Sequence, residues 1–149
     1  TVITFMLVLI GIGFSIGNHL GGKFADLSVT KTLIDFLVVL MVMMLLFPIL
    51  AKTTIGAGIA LIIWGTAAFA VVPPLQMRVM SVAHEAPGLA SSVNIGAFNL
   101  GNALGAAAGG AVLSMNMSYA MVSTTGAVLT AVGLVLVFIQ MKMSKELVQ

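Results

Sequence analysis

The sequence contains no cysteine, so it has no disulfide and no thiolate metal site. Charge is almost as scarce. Six Lys and Arg and four Asp and Glu make up 7% of 149 residues, where a soluble domain carries about 25%. No run of basic residues is interleaved with aromatics, which argues against a nucleic-acid partner. There is no Ser–His–acid set, no HExxH, no phosphate-binding glycine loop and no metal-spaced His/Asp/Glu cluster. The sequence therefore offers no residues for an enzyme reading and implies no metal or other cofactor. An initiator Met, a charged leader and a cleavage site are also missing; Thr1 runs straight into apolar sequence. The expectation is a piece of a longer protein that begins in or just before a spanning helix.

Hydrophobic residues make up 60% of the chain, and its mean hydropathy is +1.22. A soluble fold of this length could not bury that much apolar surface, so the class is all-α integral membrane. Crossing about 30 Å of hydrocarbon takes around 20 helical residues. Five segments suffice, at about 2–20, 33–50, 55–76, 89–114 and 120–141, within one domain covering 1–149. They are too long for barrel strands and do not alternate. The short connections make sequence neighbours antiparallel. Lys23, Lys31, Arg78, Lys142 and Lys145 then share one side of the membrane, and only Lys52 lies on the other. The excess of positive charge predicts that the first and third loops and the C-terminus are cytoplasmic.

Glycine is abundant where lipid would favour it. In residues 94–110, NIGAFNLGNALGAAAGG, helical spacing puts Asn94, Phe98, Gly101, Asn102, Gly105 and Gly109 on one stripe about 100° wide. Glycine costs roughly 1 kcal/mol against alanine in a water-exposed helix. In lipid it lets backbones approach closely, and Gly101-xxx-Gly105-xxx-Gly109 extends that pattern. The first span carries a similar stripe through Gly11, Phe14, Ser15, Asn18, Gly21 and Gly22. At an offset of 84, residues 14–22 (FSIGNHLGG) match 98–106 (FNLGNALGA), in helices of opposite direction, as an inverted repeat requires.

Few residues could carry chemistry. No ionisable group lies at mid-membrane in any span, so a proton relay is expected outside this chain. Asn94, Asn99 and Asn102 are the main polar groups at depth; interhelical amide bonds of roughly 0.6–2 kcal/mol would make them helix glue. The alternative is lining of a binding site, best supported for Asn94, Phe98 and Asn102 on the glycine face. Trp64 and Phe69 either wall a cavity or pack. Gly21, Gly22, Lys23 and Asp26 read as a glycine helix stop followed by solvated charges, or as a gate latch. Asp35 at the start of the second span suits the helix dipole. His19, at interface depth, is a weaker candidate for a pH role, and His84 and Glu85 read as solvated loop residues. Pro73 and Pro74 predict a kink or break in the third span.

Three stretches carry a family resemblance. Gly-Gly-Lys-Phe-Ala-Asp at 21–26 resembles the loop motif that the major facilitator superfamily places after its second and eighth helices. Residues 73–79, PPLQMRV, resemble the cytoplasmic end of the tenth helix, and 86–105 resemble the entry and body of the eleventh. The last match is most similar to the drug/proton antiporter branch and its arabinose efflux permease-like exporters. The resemblance covers essentially the whole chain, as helices eight to twelve of twelve. After Asp26 the basic residues of the loop motif give way to Leu27, Ser28, Val29 and Thr30, with only Lys31 matching, so the latch is weakened here.

The resemblance implies a bacterial inner-membrane exporter of a small organic solute, sugar or drug, working by alternating access and coupled to protons. Its partners would be that solute, protons, the bilayer and the other half of the same protein. Substrate-path candidates are Asn94, Phe98, Asn102, Gly101, Gly105, Asn18 and Trp64, with Gly22, Lys23 and Asp26 as the gate loop. The competing reading is a non-transporting membrane scaffold or assembly subunit whose glycine stripes only pack helices.

Overall fold

The computed structural model describes residues 1–146, and these are helical almost throughout. The elements are α1 (Val2–Ala25), α2 (Val29–Leu50), α3 (Thr54–Ala70), α4 (Val72–Val82), α5 (Pro87–Ser114) and α6 (Tyr119–Glu146). Among the described residues four stretches are long and apolar enough to cross a membrane: Val2–Ala25, Val29–Leu50, Thr54–Val82 and Tyr119–Ser144. α5, at 28 residues, has the length for a fifth crossing but is diluted by Asn, Ser and Gly. Large apolar side chains such as Leu7, Leu45 and Leu136 are exposed, as lipid-facing residues are.

The core is built on glycine. α1 lies along α3 with Gly13, Gly17 and Gly21 buried between them. A Cβ at any of these would overlap α3 backbone: at Ile62 for Gly13, Thr66 for Gly17 and Ala70 for Gly21. The two rows, each with a four-residue step, lie backbone on backbone, as helices without a hydrophobic drive to associate require. Ala25 continues the α1 row and is also buried.

This corrects the expected first-span stripe. Gly11 and Gly22 face open space, and Ser15 and Asn18 are exposed. The packed row is offset from the expected one and shares only Gly21 with it. Gly21 and Gly22 do not stop the helix either, because no glycine has positive φ and α1 runs on to Ala25.

The third span divides as its prolines require. Pro73 and Pro74 have no N–H for the carbonyls of Phe69 and Ala70, and the chain leaves helical hydrogen bonding at Val71 before α4 resumes. The freed Ala70 carbonyl lies where a Cβ of Gly21 would stand, against α1, and so stays within protein.

α2 lies between α3 and α6. Ser28 caps it by accepting from the Lys31 N–H at 3.3 Å. The helix therefore starts at Val29 rather than 33. Asp35 falls in its second turn, beyond the first-turn reach of the dipole that a start at 33 would have given it.

α6 packs on α2 through Met44, whose terminal methyl fills the notch at Gly126 while Ser123 Oγ donates to the Met44 carbonyl. Ala127 and Leu134, two turns apart, are buried on α6. α5 stands at the edge. Among the described residues it meets only α4 and α6, and Ala90 is its one buried residue.

Candidate substrate path

α4 and α5 are joined by two side-chain hydrogen bonds. Asn94 Nδ2 donates to Gln76 Oε1 at 2.6 Å, and Gln76 Nε2 donates to Ser91 Oγ at 2.9 Å. Ser91 and Asn94 sit three apart on one face of α5, and Gln76 follows the Pro-Pro pair at the start of the second turn of α4. Asn94 is thus engaged in holding helices together. Gln76 was not among the expected site residues; its place two positions after the prolines was the available signal.

Beside this clasp an open recess of about 350 Å³ is lined by Leu75, Asn94, Ala97, Phe98, Gly101 and Asn102. The structure therefore brings together four of the expected path residues. Asn94 and Phe98 are half-buried, whereas Gly101 and Asn102 are exposed. Gly105, one turn along, has open space where a Cβ would stand. The lining contains no ionisable group, so the recess offers amide hydrogen bonds, an aromatic ring and apolar contact.

Two expected path residues lie elsewhere. Asn18 is exposed on α1. Trp64 packs near Phe14, with ring centroids 6.1 Å apart, while Phe14 stacks on Phe69 at 4.0 Å. Trp64 also lines a separate recess of about 380 Å³ with Ile10, Met44, Phe47, Tyr119 and Ser123 among others. In the gate loop, the Asp26 N–H donates to the Gly22 carbonyl at 3.1 Å, and the Lys23 and Asp26 side chains are exposed. His19, His84 and Glu85 are exposed too. No group of three His, Cys, Asp or Glu that could hold a metal occurs among the described residues.

Over 146 residues the chain is 62% identical to the inner membrane transport protein YdhP of Escherichia coli (strain K12), an alignment that takes in 98% of this chain and 38% of that protein. It is 37% identical over 134 residues to the uncharacterized MFS-type transporter YfhI of Bacillus subtilis (strain 168), covering 90% of this chain and 34% of that one. This chain belongs to the major facilitator superfamily. Its helices form the C-terminal part of a major facilitator-type bundle. A third major facilitator-like match, the E. coli (strain K12) protein AraJ, is 34% identical over 134 residues, 87% of this chain and 33% of that protein. The chain thus spans little more than a third of the length of the curated relatives it matches. No family model matches it, and no solved structure does.

Proposed function

We propose that the full-length protein is a secondary active transporter of the bacterial inner membrane, exporting a small organic solute by alternating access. The observation that carries this reading is the recess lined by Asn94, Phe98, Gly101 and Asn102, in a chain 62% identical to an inner membrane transport protein. A recess with two amides, one aromatic ring and no charge suits an uncharged or weakly polar solute, such as a sugar or an amphiphilic drug. Coupling to protons belongs to the same reading, with the proton carrier in the part of the protein outside this chain. The lysine distribution supports cytoplasmic first and third loops and a cytoplasmic C-terminus.

The scaffold reading draws on one observation, the Asn94–Gln76–Ser91 clasp, in which an amide at the recess is used as helix glue. Asn102 and Gly101 are exposed on the recess wall and are not used in this way. The deciding experiment measures efflux of a panel of sugars and drugs by cells carrying the full-length protein, with and without a proton gradient. Gradient-dependent loss of at least one compound, absent from a null strain, is expected. Identical accumulation of every compound in both strains overturns the exporter reading.

A further inference from the structure

Arg78 lies one turn before the end of α4, about 6 Å from it along the helix axis. Its Nη1 is buried and has no hydrogen-bond partner among the described residues. A guanidinium nitrogen withdrawn from water without a partner carries its full desolvation penalty, so a ligand that repaired this would bind well. Beside it runs a groove of about 500 Å³ between α4, α5 and α6. Leu75, Val82, Leu89 and Val93 supply apolar walls, and among the described residues the only polar side chain besides Arg78 is Gln140 of α6. Among the described residues no acidic side chain lines the groove, so Asp26, Asp35 and Glu85 are not its counter-ions.

We propose that this groove holds one anionic phospholipid, with its phosphate on Arg78 and an acyl chain along the apolar walls. Arginine presents paired N–H donors in the geometry that phosphate oxygens accept, and the Gln140 amide can donate to the same headgroup. Basic pockets between spanning helices near a membrane face take acidic headgroups for this reason. A free anion would satisfy the guanidinium but leave the walls empty, whereas a lipid satisfies both. The groove adjoins the recess at Asn102 through Leu75 but shares none of its polar residues, so the lipid site does not depend on which solute is carried.

The test uses full-length protein, washed in detergent and returned to vesicles of phosphatidylcholine alone or with phosphatidylglycerol. Native mass spectrometry then counts retained lipid. Wild type should keep one phosphatidylglycerol. Arg78→Gln should lower retention about tenfold, and Arg78→Lys should keep part of it. Val93→Trp, which narrows the groove and spares the charge, should also lower it. Melting temperatures in phosphatidylcholine alone identify any variant that fails to fold. In that event, wild type labelled with photoreactive phosphatidylglycerol should crosslink within residues 75–93 or at Gln140. Equal retention by Arg78→Gln, displacement by inorganic phosphate alone, or crosslinks confined to other helices would overturn the proposal.

Discussion

α1 and α5 carry similar short sequences in opposite directions and use them differently. The 84-residue offset sets Gly17, Gly21 and Ala25 of α1 against Gly101, Gly105 and Gly109 of α5. In α1 the row is buried, and α3 backbone occupies the space of each missing Cβ at Gly17 and Gly21. In α5 the space at Gly101 and Gly105 is open, and Gly109 would meet only the Val122 side chain, at 3.4 Å. A small-residue row is a capacity for close approach. Which helix, if any, uses it depends on the partner that lies across from it.

The comparison can be broken at several points. The largest effect is expected from Gly17→Leu, which drives a side chain into Thr66 backbone and should cost about 3 kcal/mol or prevent folding. Yield of monodisperse full-length protein and its melting temperature report this. The equivalent Gly101→Leu meets no neighbour here, so it should fold normally while efflux falls about tenfold, a loss of about 1.4 kcal/mol of transition-state stabilisation. If it unfolds as Gly17→Leu does, the α5 row is a packing surface as well, and the scaffold reading gains. Asn102→Leu sharpens the same contrast. The side chain is exposed, so stability should hold while transport is impaired; normal transport would remove Asn102 from the path.

Smaller effects should follow at the contacts that hold the outer helices. Gln76→Leu removes both bonds of the α4–α5 clasp and should cost about 1–2 kcal/mol. A double-mutant cycle with Asn94→Leu should return a coupling of roughly 0.6–1.7 kcal/mol; additive losses would mean that the two amides do not act together. Ser123→Ala, which removes the α6 donor to the Met44 carbonyl, should lower stability by less than about 1 kcal/mol in a thermal melt.

The helices, short loops and the proline break were legible because each follows from local chemistry: long apolar runs between polar turns, and two residues without an N–H. The first-span face was not. VLIGIGFSIGNHLGG holds two interleaved rows, Gly11–Ser15–Asn18–Gly22 and Gly13–Gly17–Gly21, and either could face a neighbour. The polar row drew attention through Ser and Asn. The other is packed because its four-residue step matches Ile62, Thr66 and Ala70 across α3, which only the tertiary partner reveals. At the recess, residues 94–102 were found by periodicity along one helix. Gln76 was harder to place, since it takes its role from Ser91 and Asn94 on the following helix.

The break at Val71 has a mechanical consequence. Above it, α3 is fixed to α1 by rigid main-chain contact. Below it, α4 is an 11-residue segment about 16 Å long that packs against α1 and α2 and is tied to α5 through Gln76. Each degree of bending at Val71 therefore displaces the far end of α4 by about 0.3 Å. Where that segment pulls on its amide tether, a tilt of the rod becomes a sideways shift of the wall that bears Phe98 and Asn102.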